Sequence, residues 1–289
     1  MSFDIMLGQT IVTGLLWGAI YTLTALGLTV IYGIVNIVNF AHGDFLMISM
    51  FLAYVLSIAV GFSPLQSLPF VVAALFLLGI VTYRLLIKPV LNAPMLAQIF
   101  ATFGLMVFLR GLAQFIFGID FRTIPTALQA TRLDIGGIFI STPQLIAAIG
   151  AVVMFAAVYF FITKTRTGWA LLAVAENREA ATLMGIDSNK MFALAWGIGA
   201  ACVGVAGCLL ANFYYVFPEV GAIFGFLTFI VVAFGGFGSI TGAFAAGLII
   251  GLIEALAGFL LDPSYKYSIV FTVYLLVVIF RPKGLLGSA

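Results

Sequence analysis

Long apolar runs separated by short polar connections dominate the chain. Most of these runs approach or exceed the ~20 residues that an α-helix needs to cross a bilayer. The candidate spans are 9–31, 44–60, 65–83, 97–117, 143–163, 191–216, 221–236, 240–260 and 267–280. Because 44–60, 221–236 and 267–280 are short, the pattern predicts eight or nine spans, of which one or two are broken or re-entrant.

Composition narrows the class of protein further. Of the 289 residues, 64% are hydrophobic and only 8% are charged, against roughly 25% charged residues in soluble domains. A soluble enzyme needs more polar residues than this to cover its core. The net charge of +2, without any basic stripe, excludes a nucleic-acid binder. We therefore expect an all-α, polytopic helical membrane protein in which residues 1–289 form a single transmembrane domain.

The positions of lysine and arginine predict the orientation, because cytoplasmic loops carry an excess of positive charge. If the N-terminus is outside and all segments span, the inner loops are 84–96, 164–190 and 281–289. They hold eight of the twelve basic residues, namely Arg84, Lys88, Lys164, Arg166, Arg178, Lys190, Arg281 and Lys283. The outer loops hold Arg122, Arg132 and Lys266. This bias places the C-terminus inside.

The inner loop 164–190 carries seven of the 22 charged side chains. Residues 169–184 favour a helix, with Gly185 as its C-terminal cap and a second helix that begins at Asp187 or Ser188. Such a helix suits docking into a groove of a soluble partner, and the alternative is a solvated connection. The candidate docking residues are Glu176, Arg178, Glu179, Ala180, Ala181 and Gly185.

Polar residues cluster at the junction between the first two spans. Asn36 and Asn39 have the spacing of one helix face, His42 is the only histidine, and Asp44 is placed to cap the next helix. Polar groups at membrane depth are costly unless they are paired or line a wet cavity. The cluster therefore either satisfies a break in the helix or lines a translocation path.

Small residues recur at four-residue spacing between Ser239 and Ala255, and Gly14 and Gly18 form a similar pair. Such stripes allow helices to approach closely, either within the chain or at an interface with another permease. The pair Gly235-Gly236 predicts a break between two helices rather than a phosphate loop, since no lysine follows at the required spacing.

Arg110 and Glu254 are isolated charges inside apolar spans. Both lie roughly 10 Å from the outer end of their segments at 1.5 Å per residue, so we predict an ion pair or a shared wet cavity. Cys202 and Cys208 are six residues apart, lie on different sides of one helix and predict neither a disulfide nor a metal site.

Three blocks of sequence resemble one transporter family. The run Glu179-Ala180-Ala181-x-x-x-Gly185 resembles the coupling-loop motif of ABC importer permeases, although the Ile-x-Leu-Pro that follows in that motif is absent. Residues 27–48, 166–187 and 234–243 are similar to branched-chain amino acid ABC permeases. The blocks occur in the expected order from the first span to the eighth, so the resemblance covers essentially the whole chain.

This resemblance implies an ABC importer permease domain that forms half of the translocation path for leucine, isoleucine and valine. The implied partners are two ABC ATPase subunits, a second related permease in a heterodimer, and a periplasmic or lipid-anchored substrate-binding protein. The implied location is the bacterial inner membrane. The sequence has no Walker-type loop, so ATP hydrolysis is expected on the partners, and neither cofactor nor metal is expected.

Other functions remain as alternatives. Related permeases carry urea or short amides. An ion-driven secondary transporter would need several inward-facing carboxylates and inverted repeats, yet Glu254 is the one acid well inside a predicted span. An intramembrane enzyme would need an activated nucleophile beside a base, and His42 is the only histidine.

Overall fold

The computed structural model describes residues 3–287. Eight helices in this range are long and apolar enough to cross a membrane. The long helices are α1 (Phe3–Val35), α2 (His42–Val60), α3 (Pro64–Thr82), α5 (Met95–Phe117), α6 (Thr142–Lys164), α9 (Ser188–Leu210), α11 (Ile240–Leu260) and α12 (Lys266–Phe280). The 3₁₀ turn Pro263–Tyr265 extends α12 to the length of a span. The two residues at each end of the chain lie outside the described range.

The shorter elements connect these helices. A π-helical stretch, Tyr83–Ile87, joins α3 to the single turn α4 (Lys88–Val90). The short helices α7 (Arg166–Glu176) and α8 (Arg178–Leu183) lie between α6 and α9, and α10 (Val220–Gly235) precedes α11. A 3₁₀ turn, Ala127–Ala130, leads into an antiparallel hairpin of β1 (Arg132–Ile135) and β2 (Ile138–Ser141).

The predicted spans agree with these helices in number and order, with two differences. The predicted span 191–216 ends early, at Leu210, because the following residues turn and Val216 pairs with Arg122 in an isolated β-bridge. The hairpin is absent from the sequence-based prediction, since its strands are only four residues long. At 16 residues, α10 is shorter than the ~20 that cross a bilayer.

Helix α1 packs tightly against α11 through small residues. A Cβ added at Gly18 would lie 2.8 Å from the carbonyl oxygen of Gly247, and one at Gly14 would lie 2.8 Å from the Cβ of Ala255. The small-residue stripe therefore serves packing within the chain, which was one of its two predicted uses. Ser239 departs from the stripe because its hydroxyl caps α11 at the N–H of Gly242.

The segment between α1 and α2 turns back into the bundle. Helix α1 ends at Val35, residues 36–41 are non-helical, and α2 begins at His42. The imidazole Nε2 of His42 lies 3.0 Å from the carbonyl oxygen of Thr24. Thr24 precedes Val35 by eleven residues, or about 16 Å along a helix. This re-entrant segment, residues 36–41, therefore places the start of α2 inside the bundle rather than at its surface.

The segments that connect the long helices lie at two ends of the bundle, as their contacts show. At one end, Gln9 bonds to Phe139 of the hairpin, and Gln129 bonds to the carbonyl of Asn212. At the other end, Arg178 of α8 bonds to Asn92. We name these the hairpin end and the α8 end.

Candidate functional site

The asparagines of the re-entrant segment do not share a helix face, so that prediction is wrong. The helix ends before either residue, because Asn36 adopts a left-handed conformation at φ 58°, which asparagine tolerates better than most residues. Asn36 and Gln98 line a cavity of about 430 Å³. Asn39 is buried, and its Oδ1 accepts a hydrogen bond of 3.1 Å from the N–H of Ala41.

A network of charged groups joins α2, α5 and α10. The Arg110 Nε lies 3.1 Å from Oδ1 of Asp44, and its Nη2 lies 3.3 Å from Oδ2. Its Nη1 lies 3.3 Å from Oε2 of Glu219, whose other carboxylate oxygen, Oε1, accepts a hydrogen bond from Gln114. The Asp44 side chain is 1% exposed, whereas that of Glu219 is 52% exposed. Arg110 is thus the group that neutralises a deeply buried carboxylate.

Asp44 was predicted to cap α2, and the structure shows a different role. The cap position is Ala41, whose own side chain makes no capping hydrogen bond. Asp44 lies in the first turn, where it still meets the positive end of the helix dipole. The arginine on α5 takes both of its oxygens instead.

The predicted contact between Arg110 and Glu254 is wrong. Glu254 pairs with Lys266 at 2.8 Å and accepts a 2.6 Å bond from the hydroxyl of Tyr21. Each of the two lines a different cavity. Equal depth did not bring them together, because α5 packs against α2 while α11 packs against α1 and α12.

The Glu254 pair lines a cavity of about 300 Å³ between α1, α10, α11 and α12. Aromatic rings form much of its wall, including Trp17, Tyr21, Tyr214 and Phe224. Lys266 begins α12 directly after the turn that follows α11. The end of α11 meets the start of α1, where the ring centres of Phe259 and Phe3 are 5.8 Å apart, so the cavity lies toward the hairpin end. It combines one acid, one base and an apolar wall.

The loop between α6 and α9 folds as two helices rather than the single predicted helix over 169–184. The Thr165 hydroxyl caps α7, which ends at Glu176. Asn177 then leaves the helix, and its side-chain oxygen accepts the N–H of Ala180 to cap α8. A local side-chain bond at Asn177 thus competes with continued helix.

The predicted caps at the end of this loop are present. Gly185 has φ +85°, and the backbone N–H of Ile186 bonds back to Ala181, as in a helix C-cap. Asp187 caps α9 by accepting the N–H of Lys190 at 3.1 Å. This hydrogen bond lowers the pKa of the Asp187 carboxyl.

Residues 166–185, which comprise α7 and α8, are named the docking segment after their predicted role. One face of this segment is packed against the bundle, and the other face is free. Leu171, Val174 and Ala181 are buried in a cluster with Phe192 and Trp196 of α9. Glu176, Glu179, Ala180 and Gly185 are exposed, and Arg178 stacks on the ring of Phe192. Leu183 and Met184 are 88% and 82% exposed. The free face is therefore apolar at its tip and charged behind it.

The break at Gly235-Gly236 forms hydrogen bonds with the C-terminal segment of the chain. Helix α10 ends at Gly235, and Gly236 has φ +104°, a conformation available to glycine without strain. The carbonyl oxygens of Phe234 and Gly235 accept hydrogen bonds from the N–H groups of Leu285 and Leu286. This break is where the C-terminal segment docks at the end of α10.

Sequence reasoning missed three residues that complete these networks: Tyr21, Glu219 and Lys266. Glu219 and Lys266 lie at the edges of apolar segments, where a charge is common, and Tyr21 is one of many aromatic residues.

Within residues 3–287 no group of three metal-ligating side chains meets. Both cysteines are buried and unbridged.

Eight helices of spanning length, packed around a buried re-entrant segment, are typical of a multi-pass membrane protein. The chain belongs to the family described as branched-chain amino acid transport system / permease component, whose model matches residues 10–280.

Relatives match over nearly their whole length. The chain is 32% identical over 292 residues to the high-affinity branched-chain amino acid transport system permease protein BraD of Pseudomonas aeruginosa, covering 96% of this chain and 95% of BraD. The Escherichia coli permease protein LivH gives the same identity and coverage. The probable LivH of Methanocaldococcus jannaschii is 30% identical, covering 94% and 90% of the two chains.

A solved structure shares the fold. It is described as PsaBC from Streptococcus pneumoniae in complex with Fab, and it superposes with a TM-score of 0.50 over 94% of this chain and 91% of that chain. Sequence identity is 13%, so this likeness concerns the helical architecture alone.

Proposed function

We propose that the chain is the transmembrane permease subunit of an ABC importer for branched-chain amino acids, in which it forms half of the translocation path. The docking segment carries this proposal. Its buried face is fixed to α9, while its tip presents Leu183 and Met184 to a partner. Together with the family match, this arrangement supports a lever that separate ATPase subunits move.

The remaining partners follow from the same proposal. Two ATPase subunits bind the two docking segments of a pair of permeases, of which the second is a related chain. A periplasmic or lipid-anchored binding protein delivers substrate at the hairpin end. ATP-driven closure of the ATPases then shifts α7, α8 and α9 together, which opens the path alternately to the two sides.

The docking role is tested by Leu183→Ser combined with Met184→Ser. Burying each side chain at an interface contributes about 1.5–3 kcal/mol, so the double variant should reduce ATPase copurification at least about tenfold. ATP-dependent leucine uptake in proteoliposomes with the binding protein should fall in parallel. The control is Ile135→Ser, which removes a 63% exposed side chain at the hairpin end and should leave ATPase copurification unchanged. Normal copurification and uptake in the double variant would refute the docking role.

The orientation belongs to the proposal too, and it puts the α8 end and the C-terminus in the cytoplasm of a bacterium. Eight basic residues in the loops 84–96, 164–190 and 281–289 support it, although residues 288–289 lie outside the described range.

Cysteine labelling of intact cells tests this orientation. In cells that express the permeases without the ATPase subunits, Leu133→Cys in the hairpin should react with an impermeant maleimide, and Met184→Cys should react only after lysis. The native Cys202 and Cys208 are buried, so the unmodified protein should give little background. Labelling of Met184→Cys in intact cells would show that the α8 end faces outward, which contradicts the proposed orientation.

A further inference from the structure

A cavity of about 300 Å³ lies beside Glu254, and its lining combines one acid, one base and several aromatic rings. It lies toward the hairpin end, where the proposed binding protein releases substrate. Its size is at the lower limit of ligand pockets, which range from about 300 to 1,000 Å³. A small metabolite therefore fits it, and a large one does not.

The polar side of this cavity holds one charge of each sign. The Glu254 carboxylate is 10% exposed and receives Lys266 on one oxygen and the Tyr21 hydroxyl on the other. The Lys266 side chain is 35% exposed, and its ammonium also lies 4.5 Å from the ring centre of Tyr267. The site is neutral overall, so a charged ligand of either sign would leave one buried charge unbalanced.

The opposite side of the cavity is apolar. The ring centres of Tyr214 and Phe224 are 5.3 Å apart, and that of Trp17 lies 6.0 Å from Tyr214. Ile223 and Leu227 extend this wall, and Gly258 leaves room on α11. An aliphatic side chain placed against these groups would be removed from water on most sides.

We propose that this cavity binds a free amino acid as its zwitterion. The α-ammonium of the ligand binds Glu254, its α-carboxylate binds Lys266, and its aliphatic side chain packs against the aromatic wall. The ligand replaces one ion pair of the protein with two and adds no net charge. This inference rests on the proposed function, because it names the chemistry by which the path accepts its substrate.

The test measures ligand binding to the purified complex of permeases and ATPases, in nanodiscs and without binding protein, by saturation-transfer NMR. The probes are leucine, isoamylamine, which keeps only the ammonium, and isocaproate, which keeps only the carboxylate. Because each charge-assisted contact contributes separately, leucine should bind at least about tenfold tighter than either analogue.

Two variants test which charged side chain binds which charged group of the ligand. Glu254→Gln should abolish the preference for leucine over isocaproate and leave the preference over isoamylamine. Lys266→Met should do the reverse. Asp134→Asn in the hairpin is the matched control and should bind all three probes as the unmodified protein does. If one variant fails to fold, as judged by its thermal unfolding, the other still decides the matter.

Equal binding of leucine and both analogues, or equal losses for all probes in both variants, would overturn the site. ATP-driven leucine uptake with the binding protein is measured separately. If uptake is normal but binding at this cavity is not charge-selective, the proposed binding site is refuted and the proposed function stands. If no branched-chain amino acid is taken up, the proposed function is refuted whatever the binding result.

Discussion

Replacing Arg110 with methionine should destabilise the protein by about 3–5 kcal/mol, because it leaves a charge buried without its partner. The uncompensated charge is the carboxylate of Asp44, whose side chain is 1% exposed. Methionine keeps the apolar stem of arginine, so the packing of α5 changes little. The expected result is a lower thermal unfolding temperature of the purified complex and reduced copurification of the second permease.

The controls separate the buried charge from a general effect of the mutation. The double variant Asp44→Asn with Arg110→Met removes both charges and should recover most of the lost stability. Glu219→Gln should cost at most about 1 kcal/mol, since the Glu219 carboxylate is 52% exposed. If the double variant unfolds as easily as Arg110→Met, Asp44 is not the group that Arg110 stabilises.

Replacing Gly43 with alanine should also lower stability, by about 1–3 kcal/mol or more, because the seam between α2 and α10 has no room for a side chain. An added Cβ would overlap the carbonyl oxygen of Gly221 and lie 2.7 Å from the Cα of Gly225. Both are backbone atoms, so relief requires the two helices to separate. That separation would also displace Asp44 from Arg110.

Gly104→Ala is the matched control for this change. Gly104 lies within α5, and an added Cβ there would have no atom within 4 Å. Its stability should stay equal to that of the unmodified protein or rise slightly, because alanine favours helix over glycine. Thermal unfolding of both variants, measured side by side in the same detergent, checks the pair. Equal stability of the two would mean that α2 and α10 are not in close contact.

The helices were predictable because their signal is local. Transfer of an apolar run into a bilayer depends on its length and composition, so the spans follow from the residues alone. The break at Gly235-Gly236 was also visible, since glycines end helices, and a helix break near Asn36 was one of two alternatives for the polar cluster. The break at Asn177 was missed, because helix-forming neighbours on both sides outweigh a single asparagine in any count of propensities.

The partners of the buried charges were not predictable in the same way. Arg110 and Glu254 were predicted to lie at similar depths in the membrane. The position of a residue within a span determines its depth but not which helix lies beside it. Which acid meets Arg110 depends on α5 lying beside α2 and the start of α10. Similarly, the Lys266 that meets Glu254 lies just outside the predicted span 267–280, so it was read as a loop residue.

By itself, then, the sequence determined the membrane class, the order and length of the helices, the clustering of charge in the loop 164–190 and the family that the chain resembles. Only the tertiary structure decided that residues 36–41 return into the bundle, that Asp44 meets Arg110, and that Glu254 and Lys266 share a cavity with an aromatic wall. The physical reason is that hydrophobic transfer and helix capping act within one segment. Ion pairing and cavity shape depend on which segments become neighbours, and helices of similar apolarity leave many such arrangements open.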